Sequence, residues 1–223
     1  MGIPQEQQDG TGRRWLPLSG AAAVAALIVA VVVLGGDTPG SGDSPATIRA
    51  FYDSNEVREM ASAFVVAATA PLFVLFGVCL ATSLWPSPAA RRPVWQTVLA
   101  VGSAVAAVGF IVPALIHVAL TQTANTAGVS GGALQALAGL DESSWVAFNC
   151  GMGVMMLGAG GALLGRRAYP VLGWIALVAG IALFFPFADF IAFLVSGLWI
   201  IATSVVLFRR SAGPAVAGLP NLA

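Results

Sequence analysis

Four apolar runs, Leu18–Leu34, Met60–Leu84, Trp95–Leu120 and Trp145–Leu164, contain no Asp, Glu, Lys or Arg. A fifth stretch, Val171–Phe208, is interrupted only around Pro186–Asp189. A helix needs about 20 apolar residues to cross a hydrocarbon core of about 30 Å, so each of the first four runs suits one crossing. The fifth is too long for one and long enough for two, which predicts a hairpin turning near Pro186. Only 9% of the chain is charged, against about 25% in ordinary globular proteins. With a mean hydropathy of +0.88, the chain cannot cover a water-facing exterior of its own size. A net charge of zero and two cysteines also exclude a nucleic-acid binder resting on a basic field, a disordered tail and a disulfide-stapled secreted domain.

Arginine sets the expected topology. All ten basic residues are Arg, and eight form the pairs Arg13-Arg14, Arg91-Arg92, Arg166-Arg167 and Arg209-Arg210, each flanking a span. Basic residues in short loops stay cytoplasmic, so consecutive pairs are separated by an even number of crossings. An all-α integral membrane fold follows: six transmembrane helices in three hairpins, both termini inside, in the plasma membrane. The expected organisation is a cytoplasmic tail over 1–14, a bundle over 15–210 and a second cytoplasmic tail over 211–223. With these sides the inner face carries a net charge of +6 and the outer face −6. The Arg13-Arg14 pair before a 17-residue apolar run also has the look of an export signal. The run exceeds the usual h-region of about 7–15 residues and no small-x-small cleavage pattern follows Leu34, which favours a retained helix.

The outer segments of the first two hairpins share a layout. In SPATIRAFYDSNEVREMASAF, Ser44 is the expected N-cap with Pro45 at N1. Ile48, Phe51, Tyr52 and Asn55 then fall on one stripe, and Arg49 and Asp53 are spaced to pair at i,i+4. This predicts a short interfacial helix in the first outer loop. SGGALQALAGLDESSWVAF repeats the pattern with Leu134, Leu137 and the acids Asp141-Glu142.

The order of an RRWLPLSG span, a GGDTPGSGDSPATI loop, an AFY helix leading through REMASAF into the second span, and a closing LGWIALVAGIALFFPF hairpin resembles a group of multi-pass membrane proteins of actinobacteria, the DUF4386-like kind. The resemblance covers nearly the whole chain. It implies an actinobacterial source and no particular activity, cofactor or catalytic residue.

An ionisable side chain at membrane depth is costly and marks a functional candidate. By depth, His117, Asn149, Cys150 and Asp189 are expected in one layer near the outer leaflet, close to Tyr52–Glu59. His117, Asp189, Glu56 and Glu59 are the catalytic candidates, and Tyr52, Asn149 and Cys150 the ligand-binding ones. One histidine and no Cys-x-x-Cys spacing give no expectation of a metal or another cofactor. Pro113 is expected to kink the third span, and Gly161/Gly165 to give a small-xxx-small packing face. Cys79 and Cys150 lie at opposite depths, so no disulfide is expected.

The leading expectation is a non-enzymatic bundle that binds a lipid-soluble small molecule or a partner membrane subunit through its outer half, with no nucleic-acid partner. The alternatives are an integral-membrane enzyme for acid-initiated isomerisation or cyclisation, with Asp189 and Glu56 or Glu59 as acids and His117 as base, and a small proton-coupled transporter.

Overall fold

A computed structural model describes residues 15–84, 94–167 and 169–212. Arg13-Arg14, Arg91-Arg92 and most of both tails lie outside the described residues, which are helical with no strand among them. Seven α-helices follow in order: α1 Ser19–Ile28, α2 Pro45–Leu84, α3 Val94–Ala124, α4 Gly131–Ser143, α5 Trp145–Gly165, α6 Pro170–Ala182 and α7 Asp189–Ala212. A 3₁₀ turn at Leu16–Leu18 precedes α1 and a π-helical segment, Val29–Leu34, extends it. Among the described residues, five segments are long and apolar enough to cross a membrane: Leu16–Leu34, Pro45–Leu84, Val94–Ala124, Gly131–Gly165 and Asp189–Arg210. The sixth apolar helix, α6, is shorter.

The first two helices run antiparallel, as their contacts show. Ser62 Oγ at one end of the α1–α2 pair donates to the Ala30 carbonyl at 3.0 Å, while Gly20 lies against Phe76 at the other. Phe73 stacks on Phe110 across α2 and α3, with ring centroids 4.6 Å apart. The same ladder continues from Phe110 to Phe148 on α5 and Phe193 on α7, joining four helices through one aromatic core.

Glycine sets the tightest seams. A Cβ on Gly109 would lie 2.6 Å from the Phe148 Cα, and one on Gly158 would lie 2.6 Å from the Leu99 Cα. Small residues allow this backbone approach, which is how apolar helices gain van der Waals energy in lipid. The other face of α5 meets α6 in the same way, with Gly160 against Gly173 and Leu177. The Gly161/Gly165 spacing is not such a seam: Gly161 faces the Trp95 ring, and Gly165 has open space beside it.

The short interfacial helix expected in the first outer loop, an amphipathic lead-in to the second span, is the start of α2. Ser44 caps it, its Oγ accepting from the Thr47 amide at 3.1 Å, and REMASAF contains no residue that would end a helix. At 1.5 Å per residue α2 is about 60 Å long, twice a hydrocarbon core, so its first turns project beyond the span. Arg49 does not pair with Asp53. Its guanidinium donates to the Val129 carbonyl at 3.1 Å, tying α2 to the turn before α4. α3 continues through Pro113 as a single helix. The helical run is interrupted between α6 and α7 over residues 183–188, which include Pro186.

Candidate functional site

Three helices carry the site's polar side chains, each on a face that is otherwise apolar. On α2 the buried stripe runs Ile48, Tyr52, Glu59, and on α4 it runs Leu134, Ala138 and then the half-buried Asp141. α3 contributes His117, one turn before the buried Leu120 and Thr121. Helical periodicity therefore turns two acids and a histidine inward, toward one another.

His117 lies between two carboxylates. Its Nε2 is 2.9 Å from Glu59 Oε2, and its Nδ1 is 3.2 Å from Asp141 Oδ2. Glu59 Oε1 accepts from Arg58 Nε at 3.1 Å and Arg58 Nη2 at 2.9 Å. The Glu59 side chain is 1% exposed, against 20% for Asp141. A buried carboxylate without a partner costs several kcal/mol, and Glu59 meets that cost with a guanidinium on one oxygen and an imidazole on the other.

The ring contacts fix a proton count. A neutral imidazole donates one hydrogen bond, whereas both nitrogens of the imidazolium donate. Two carboxylates at the two ring nitrogens therefore require two protons shared among three groups. With Arg58 ionised beside Glu59, an imidazolium between two carboxylates makes the four-residue cluster neutral overall.

A small apolar core roofs this cluster: Ile48 and Tyr52 of α2, Leu120 and Ala124 of α3, Leu134 and Ala138 of α4. The main bundle core, which includes Phe73, Phe110 and Met152, is separate from it. Tyr52 is wholly buried, its ring edge-on to His117 at 5.6 Å, and its hydroxyl has no hydrogen-bond partner. Ser41 straps the roof from outside, donating to Glu142 through its backbone N–H and its hydroxyl, both at 2.7 Å.

The layer expected from sequence divides in two. His117, Glu59 and Tyr52 come together. Asp189 lies elsewhere, at the N-terminus of α7, where its carboxylate accepts from the Phe190 amide at 2.7 Å and from Asn149 Nδ2 at 3.2 Å. Glu56 and Cys150 are exposed, and neither Cys79 nor Cys150 is in a disulfide. Asp141 is not among the sequence candidates, because in the sequence it is one of an acidic pair that ends an outer segment. The signal was its position seven residues after Leu134, on the same helical face. Among the described residues, no group of three or more His, Cys, Asp or Glu side chains could hold a metal ion.

A second concave feature lies between α6 and α7. It is a groove of about 520 Å³ whose lining includes Trp174, Val178, Ala182, Phe187, Ala188, Ile191 and Val195. Phe187 and Ala188 of the turn over 183–188 line one end of it. Below it Trp199 Nε1 donates to the Leu172 carbonyl at 2.8 Å, pinning the two helices together. No lining side chain titrates.

The chain matches no protein-family model, no curated protein and no solved structure.

Proposed function

We propose that this chain is a non-enzymatic, six-span protein of the plasma membrane, with both termini cytoplasmic, that binds a lipid-soluble small molecule in the α6–α7 groove. The observation carrying this reading is the lining. The groove is apolar along its length, and its exposed Trp174, Val178 and Ile191 face the side from which a bilayer-dissolved molecule arrives. It offers burial and shape but no acid, base or nucleophile, which supports binding over acid-initiated chemistry. Its ligand class is an extended hydrocarbon, such as an acyl or isoprenoid chain. The arginine pairs support the orientation, and α6 with its following turn supplies the sixth crossing. The DUF4386-like kinship and actinobacterial source remain part of the proposal, carried by sequence layout.

Photolabelling the purified protein in nanodiscs with a diazirine-bearing fatty acid tests this reading. Saturable labelling on α6 and α7 is expected, with at least about a tenfold loss in Ala182→Trp and Ala188→Trp, which fill the groove, a loss corresponding to about 1.4 kcal/mol. Val33→Trp, on an exposed face of the first span, leaves labelling unchanged. Equal labelling of all four proteins would eliminate the groove as the site. A small proton-coupled transporter is the second reading, favoured by the His117 cluster. It requires probe accumulation in proteoliposomes to follow an imposed pH gradient, whereas simple binding requires retention independent of that gradient.

A further inference from the structure

The His117 cluster is positioned to do something the groove does not need. It joins the three helices of the roof at one point, through an imidazole with a carboxylate at each ring nitrogen. We propose that Glu59, His117 and Asp141 form a proton-binding latch that holds α4 onto α2 and α3, and that releases α4 when the outer solution turns alkaline.

The groups facing His117 are Tyr52, Arg58 and Glu59 from α2 and Asp141 from α4. Loss of one proton to the outer water turns the imidazolium into a neutral ring with one donor and one lone pair. One carboxylate then faces that lone pair, an arrangement with no hydrogen bond and with like charge density opposed. No other bond forms or breaks.

The geometry decides which side opens. Glu59 is held at 2.9 Å, is 1% exposed and is paired with Arg58, whereas Asp141 is held at 3.2 Å, is 20% exposed and, among the described residues, pairs with no arginine. Asp141 reaches water at the smaller cost, so the break falls between α3 and α4. Two breaks in the helical pattern flank α4: Gly128, at φ +84°, in the turn before it, and the turn at Ser144 after it, where the backbone stays right-handed helical. Ser41–Glu142, Gln135–Asp43 and Arg49–Val129 do not depend on His117, so α4 loosens around Asp141 rather than detaches. The loosening admits water to the Tyr52 hydroxyl.

The sign is that of a cation paired only in the latched state. Latching is complete at low pH and weakens as pH rises through the histidine titration, by at most about tenfold per pH unit for one proton.

Hydrogen exchange on the full chain in nanodiscs, corrected for intrinsic rates between about pH 5 and about pH 9, a range that brackets the ordinary histidine titration, tests the latch. Protection of the α4 amides is expected to fall with rising pH in the native protein and to become independent of pH in His117→Gln. Native protection that stays flat, or a slope that survives in His117→Gln, overturns the proposal. If that variant does not fold, the native protein still decides. The chain has one histidine, so ¹⁵N-histidine NMR reports this ring alone. Both nitrogens protonated while α4 is protected supports the latch, and a neutral ring with α4 fully protected sinks it.

Discussion

At the scale of single residues, the chain's polar chemistry is concentrated where two apolar cores meet. Glu59 is the member with least freedom, because it is buried and serves both Arg58 and His117. Glu59→Ala leaves an imidazole and a guanidinium without their anion, and breaking a buried pair costs about 3–5 kcal/mol. A clear drop in detergent melting temperature is expected. Glu59→Gln, which retains the shape and an acceptor, should recover part of it, and equal melting of Glu59→Ala and native protein would remove Glu59 from this role. His117 was legible in the sequence because it is the only ionisable side chain within an otherwise uncharged run. Asp141 was not, because an acid near a span's outer end reads as a solvated loop residue until the helix carrying it is phased against Leu134. Asp189 was expected beside His117 on depth alone. Depth ranks residues along the membrane normal and says nothing about which helix faces which.

Among the elements, α5 is the one held on two sides by glycine. Gly158 meets α3 backbone and Gly160 meets α6 backbone, so neither helix has room to retreat from an added side chain. Gly158→Leu should cost more than the about 1–3 kcal/mol typical of overpacking, because the obstacle is main chain. Gly165→Leu, beside open space, should be close to silent. Comparing the folded fraction of the two variants on size-exclusion chromatography checks this, and similar behaviour would mean that the seam yields. The crossing segments were legible from apolar length, and the α6–α7 turn from the Pro186 interruption. The start of α2 was legible only as an amphipathic lead-in to the second span. Such a lead-in suggests a helix lying at the interface, but here it runs on into the span, with its Ile48–Tyr52 stripe buried by α3 and α4. Tertiary contact decided what local pattern left open.

For the whole molecule, charge separates along the bundle. The two described arginine pairs lie at one end, where Arg210 sits 4.8 Å over the Tyr169 ring, and every described acid lies toward the other. The proposed orientation is checked with Gly132→Cys and Gly165→Cys, both at positions with open space around them, in a background lacking Cys79 and Cys150. A membrane-impermeant maleimide applied to intact cells should label the first and not the second, and the reverse would invert the topology.

The unbroken α2 makes the roof and the bundle mechanically one piece. A rod about 60 Å long that tilts by about 5° about its inner end carries Pro45 sideways by about 5 Å, more than the slack in any hydrogen bond of the roof. Bilayers of different thickness change helix tilt at modest energetic cost. A change in the tilt of α2 therefore moves Ile48 and Tyr52 of the roof together with Phe73 and Phe76 of the bundle core.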